Sequence, residues 1–142
     1  MKRVIDIKIH DGELHITVDV YENITMVLGN TGVGKSYFVD TLSKLADGGY
    51  LKDVVTFNYK NKSKINLIKK LRGKIIIIDN ADILLSDSLR KYIYLDKNNY
   101  YLIVGKNNRY LHTSALNLAE LKFTSSKISL TYPFLEDAIY FA

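Results

Sequence analysis

The sequence predicts one α/β domain built on a doubly wound, largely parallel sheet, with an antiparallel β-hairpin near each end. Three observations carry that expectation. An apolar run, Ile24 to Leu28, leads through a glycine-rich stretch at 29–36 into residues at helical spacing. Four consecutive isoleucines, Ile75 to Ile78, have the continuous apolar character of a strand buried on both faces, as central parallel strands are. Around them, helical and strand periodicities follow one another in the order that parallel crossovers require.

Composition sets the outer limits. A chain of 142 residues suits a single domain over 1–142 with one core. An apolar share of 47% with 25% charged residues is ordinary for a globular protein and argues against disorder. Apolar runs are too short to span a bilayer, and Met1-Lys2-Arg3 opens alternating residues rather than an apolar signal core. A cytoplasmic protein without membrane contact is therefore expected. The absence of cysteine excludes disulfides and thiolate metal sites. A net charge of +5 favours anionic partners such as nucleotides, nucleic acids or acidic proteins. The eleven tyrosines serve sheets and interfaces as readily as base stacking, so they do not choose among these.

Each element has its own signal. Ile5, Ile7 and Ile9 alternate with Asp6, Lys8 and His10, and Leu14, Ile16, Val18 and Val20 alternate with His15, Thr17 and Asp19. Asp11-Gly12 between them signals a hairpin, with His10 and His15 on the polar face and no evident third metal ligand. Phe38, Leu42 and Leu45 predict a helix over 35–46 that closes at Asp47-Gly48-Gly49. A strand is expected over 51–59. Ser63 can then cap a short helix to residue 72, with Ile65, Ile68 and Leu71 on one face and Gly73 as the stop. The isoleucine strand covers 74–79. A helix over 82–96 turns Leu85, Leu89 and Ile93 inward and leaves Ser86, Asp87, Arg90 and Lys91 to solvent. A strand at 100–104 runs into polar GKNNR at 105–109. Ala119, Leu121 and Phe123, then Ile128, Leu130 and Tyr132, alternate across Ser125-Ser126 as a closing hairpin that Pro133 ends. The apolar tail at 133–142 either packs back or meets a partner.

The most specific chemistry lies at 29–36, where GNTGVGKS fits GxxxxGK[ST], the Walker A pattern, without a gap. Gly29, Gly32 and Gly34 let the backbone turn and approach phosphate closely. The backbone N–H groups of the loop, those of Asn30, Thr31 and Val33 among them, point at the phosphates where the helix dipole begins. Lys35 reaches the β- and γ-phosphates, and Ser36 places its hydroxyl on Mg²⁺. Asp79 ends the isoleucine strand with a carboxylate, a candidate second metal group. Its plainer alternative is to cap the helix that follows.

Through GNTGVGKS at 29–36 and IIIIDNAD at 75–82, in an order of elements covering most of the chain, the sequence resembles the P-loop NTPase superfamily. It looks like the class with an additional strand between Walker A and Walker B, distantly similar to AAA and ABC ATPases. The resemblance implies a P-loop NTPase-like fold, ATP with Mg²⁺, and Asp79 as the Walker B aspartate. The first hairpin looks like that of transport-type and chromosome-maintenance ATPases, and GKNNR resembles an AAA sensor strand. Many hydrolytic members follow the Walker B aspartate with a glutamate; Asn80 stands there and cannot accept a proton as a carboxylate does. Asp82 could replace it, Asn107 could polarise water, and Arg109 could meet a γ-phosphate in its own or a neighbouring subunit. Each also reads as an ordinary helix-end or loop residue. There is no LSGGQ signature, no length for an AAA lid domain and no NKxD motif, so ATP is the default base choice. Only Arg72, Arg90 and Arg109 follow Lys35 as arginines, too few for the lid of a small-molecule kinase.

Two functions therefore stand side by side. One is a slow, Mg²⁺-dependent ATPase acting with DNA or a protein partner, completed in some cases by oligomerisation. The other is a nucleotide-gated or degenerate P-loop module that binds a macromolecule, as an interaction or inhibitory protein, with little or no hydrolysis. Partner surfaces are the apolar tail and the basic segment Lys60, Lys62, Lys64, Lys69, Lys70, Arg72 and Lys74. That segment either contacts nucleic-acid phosphates or forms a solvated helix face.

Overall fold

Alternation in the first residues becomes a two-stranded ribbon, β1 (Lys2–Ile9) antiparallel to β2 (Leu14–Tyr21), with Ile5 opposite Val18. Asp11 (φ 56°) and Gly12 (φ 86°) turn the ribbon in the left-handed region that an Asp-Gly pair accepts readily. The computed structural model describes residues 2–9, 11–21, 23–28, 34–105 and 117–134. After the ribbon come β3 (Ile24–Leu28), α1 (Lys35–Asp47), β4 (Val54–Phe57) and a 3₁₀ segment (Tyr59–Lys70). They are followed by β5 (Ile75–Asp79), α2 (Ala81–Leu84), α3 (Asp87–Leu95), β6 (Tyr100–Gly105), β7 (Leu118–Phe123) and β8 (Lys127–Thr131). Among the described residues no helix is long and apolar enough to cross a membrane.

These strands form one mixed eight-stranded sheet in the order β1-β2-β8-β7-β3-β6-β5-β4. The expected doubly wound, largely parallel P-loop-type sheet edged by two separate hairpins is thus corrected to a mixed sheet with few helices, curled into a half-barrel. The cause is a pairing that alternation cannot announce. β2 runs parallel to β8, with Ile16 opposite Ile128, and β8 is antiparallel to β7, so both hairpins are built into the same sheet. The curl brings opposite edges together: Arg3 of β1 donates to the Gly73 carbonyl at 2.8 Å and pairs with Asp53 at 3.3 Å, residues just before β5 and β4.

Burial explains how the curl holds. On the concave side Phe38, Val39 and Leu42 of α1 pack against Val27, Ile75, Ile77, Leu102 and Val104, and the ribbon closes over them with Ile5, Ile16, Val18 and Val20. Strands occupy the space that a further layer of crossover helices takes in a doubly wound fold. On the other side Ile65, Ile68, Leu84, Leu89 and Ile93 cover Ile24, Met26, Ile76, Ile78 and Ile103. The isoleucine run is therefore shared alternately between the two cores.

Two expected helices take other forms. The helix expected over 63–72 is a 3₁₀ segment that begins earlier: Asn58 is its N-cap, with a reciprocal capping box to Asn61, and the run kinks at Asn61. Ile65, Ile68 and Leu71 lie three apart, which aligns them at three residues per turn. The helix expected over 82–96 breaks into α2 and α3, because the Ser86 hydroxyl accepts from the Leu89 N–H at 3.2 Å and starts a new helix.

One polar cluster is buried where β5 and β6 begin. Asp96 is 6% exposed and accepts from the Tyr101 hydroxyl at 2.6 Å, the Asn99 amide at 2.8 Å and the Asn98 N–H at 2.9 Å. Burial raises its pKa, but the donors from Tyr101, Asn98 and Asn99 outweigh it and hold the carboxyl below the ordinary value of 3.8. A depressed carboxyl stabilises the fold fully above the unfolded value, and that stability is lost as pH falls through the folded one. Asp96→Asn is expected to cost about 1.5–3 kcal/mol at pH 7, the range for hydrogen bonds to a charged group. The difference from wild type should shrink in urea titrations repeated below about pH 4; a loss independent of pH would exclude the charge as its source.

Candidate functional site

In the parallel part of the sheet the C-terminal ends of β3, β6 and β5 lie level, with Leu28 opposite Gly105 and Asp79 opposite Val104. α1 starts at this rim. Its N-cap is Gly34, at φ 88°, a left-handed conformation that favours glycine. A Cβ at that position would also stand 2.6 Å from the Phe123 ring at the end of β7. Lys35 is the first residue of α1, and its Nζ donates to the Gly105 carbonyl at 3.1 Å. Ser36 follows, exposed, and Asp40 lies one turn further along the same helix face.

Asp79 closes the group. Burial pushes its carboxyl above the ordinary value of 3.8, the Asn80 N–H (2.9 Å) and the Lys35 charge pull it down, and Asp40 and Asp82 push it up again. Three carboxylates thus act on the rim against one ammonium. A phosphate chain placed here is repelled by them unless a cation accompanies it. Among the described residues no group of three or more His, Asp or Glu side chains could hold a metal ion alone. A carboxylate such as Asp79 and a hydroxyl such as Ser36 are donor types that Mg²⁺ accepts, since it takes few protein ligands and completes its shell with phosphate oxygens and water.

The other predicted residues are placed as follows. Asn80 sits at φ 53° and is the N-cap of α2, its carbonyl accepting from the Ile83 and Leu84 N–H groups at 3.0 Å. The capping position offered to Asp79 as a plainer alternative is therefore filled by its neighbour. Asp82 is exposed in the first turn of α2, and Arg90 donates to its carbonyl at 3.4 Å. Gly29, Asn30, Thr31, Gly32 and Val33 lie outside the described residues, as do His10, Asn107, Arg109 and the tail at 135–142.

Sequence reasoning did not place Asp40, Gly105, Tyr37 or Phe123 at this rim. Asp40 carried a usable signal, four residues after Ser36 on a predicted helix. The Gly105 carbonyl and the Tyr37–Phe123 ring contact (centroids 6.4 Å apart) depend on strand order and carried none. No protein-family model matches the chain, and no curated protein matches it either.

Proposed function

We propose that the chain binds a nucleoside triphosphate, ATP by default, together with Mg²⁺, as its resemblance to P-loop NTPases implies, and turns it over slowly or not at all. The observation that carries this reading is Lys35 at the start of α1, its ammonium on the Gly105 carbonyl at 3.1 Å, on a rim of three adjacent parallel strands where β5 ends in Asp79. Such a unit is local: strand, loop, helix and a neighbouring strand suffice, and the rest of the sheet is free to curl. Lys35 and the amides of 29–34 take the phosphates, while Ser36 and Asp79 hold the cation. Mg²⁺, when bound, neutralises phosphate charge beside the carboxylates.

Asn80 favours binding over turnover, because its side chain is a neutral amide and cannot take a proton from water as a carboxylate does. In the slow-ATPase form of the reading, Asp82, Asn107 and Arg109 supply what Asn80 lacks, with a neighbouring subunit contributing where oligomers form. In the module form, nucleotide orders a surface for a partner. A cytoplasmic site of action suits either form.

Calorimetric titration with Mg²⁺-ATP tests the central claim. Wild type should bind, and Lys35→Ala, checked for native circular dichroism, should lose at least about 100-fold in affinity, roughly 2.7 kcal/mol. Unchanged affinity in the variant sinks the proposal. Phosphate release then separates its two forms: turnover supports the slow ATPase, and tight binding without turnover supports the module.

A further inference from the structure

The chain's positive charge is concentrated in one place. The stretch 59–74 holds seven cations (Lys60, Lys62, Lys64, Lys69, Lys70, Arg72 and Lys74) and no carboxylate, against a whole-chain charge of +5, so the remainder carries a net −2. The fold keeps this concentration exposed. Ile65 and Ile68 are the buried residues of the 3₁₀ segment, and with them its apolar column is pressed onto the sheet. At three residues per turn the remaining positions fall into two further columns. Beyond the kink at Asn61, Ser63, Asn66 and Lys69 form one and Lys64, Leu67 and Lys70 the other, all exposed.

The kink at Asn61 divides the segment: beyond it, at a 3₁₀ rise of about 2 Å per residue, residues 62–70 extend over about 18 Å, and Tyr59 and Lys60 stand before it. Among the described ion pairs, Lys60, Lys62, Lys64, Lys69 and Lys70 have no carboxylate partner. Tyr59 is 55% exposed at the start of the segment, with Lys62 Nζ 4.6 Å from its ring centroid. Between the segment and β4 lies a cleft of about 290 Å³ lined by Lys64, Leu67, Asn61 and Asp47.

We propose that the 3₁₀ segment is a binding surface for single-stranded nucleic acid, its lysine columns neutralising backbone phosphates and Tyr59 stacking on a base. Five exposed cations without a carboxylate partner among the described ion pairs, spread along the segment on both sides of its kink, match an extended polyanion rather than a compact anion. The exposed ring beside it favours a strand whose bases are free to stack over a duplex or an acidic peptide. The surface does not depend on the nucleotide reading, since none of its cations belongs to the Lys35–Asp79 rim.

Fluorescence anisotropy with a labelled 20-nucleotide single strand tests it on the full chain. Wild type should bind at low salt, with a log–log salt slope near −3 for four or five neutralised phosphates. Lys64→Glu/Lys69→Glu/Lys70→Glu, all exposed positions, should weaken binding by at least 10-fold and flatten the slope by about 2. Tyr59→Ala should weaken it about 5- to 10-fold. The matched control, Lys8→Glu/Lys44→Glu/Lys91→Glu, three charge reversals at exposed positions outside the segment, should leave affinity unchanged. Equal loss in both charge variants, equal binding of duplex, or equally tight binding of poly-glutamate would overturn the assignment.

Discussion

Asp79→Asn is expected to stabilise the nucleotide-free protein at neutral pH while removing most of its affinity for Mg²⁺-nucleotide. The two effects have one origin. A carboxyl whose folded pKa lies above its unfolded value holds its proton more tightly in the folded state. Stability therefore falls as pH climbs from 3.8 through the raised value, and the whole cost stands above it. Burial is the largest cause, with Asp40 and Asp82 adding to it, so an uncharged amide relieves the rim. The same amide supplies no charge to a cation, and affinity for Mg²⁺-ATP should drop by about 100-fold. Melting curves at pH 7 and pH 4 check the first half, with the variant's advantage shrinking at the lower pH; titration checks the second. A less stable variant with wild-type affinity would contradict both the strain at Asp79 and its role.

Phe38→Ala is expected to cost about 3–5 kcal/mol, a large part of the 5–15 kcal/mol that holds a typical domain together. Phe38 is 0% exposed and lies where α1 meets both the parallel strands and the curled ribbon, so three layers lose contact at once. Its neighbour Tyr37 is 54% exposed and touches Phe123. Tyr37→Ala should stay within about 1 kcal/mol. Urea unfolding of the two variants side by side is decisive: similar losses would mean that α1 is not seated in the concave face.

What the sequence disclosed follows from which signals are local. Strand faces were legible: alternation in 4–20 and the isoleucines at 75–78 dictate which side chains share a core, and both appear as read. Strand neighbours were not. Alternation says where Ile16 points and nothing about Ile128 standing beside it, so the shared sheet and its curl were missed. The spacing of Ile65, Ile68 and Leu71 suits a 3₁₀ turn as well as one helix face, and Asn58 and Asn61 decide the matter by capping earlier than Ser63. At the candidate site, Lys35 and Asp79 were legible because a motif and a strand end mark them. Asp40, Gly105 and Phe123 arrive there through helix geometry and strand order.

The pairing of β2 with β8 also bears on how the chain reaches its fold. The ribbon pairs residues close in sequence, whereas its β2 edge is closed only by β8, from much later in the sequence. Non-local pairings of this kind raise contact order and slow folding. Meanwhile an apolar ribbon with an unpaired edge offers itself to other chains. Refolding yield should therefore fall with protein concentration more steeply than a domain closed by local helices would show, and the vulnerable species is the one still waiting for its last strand.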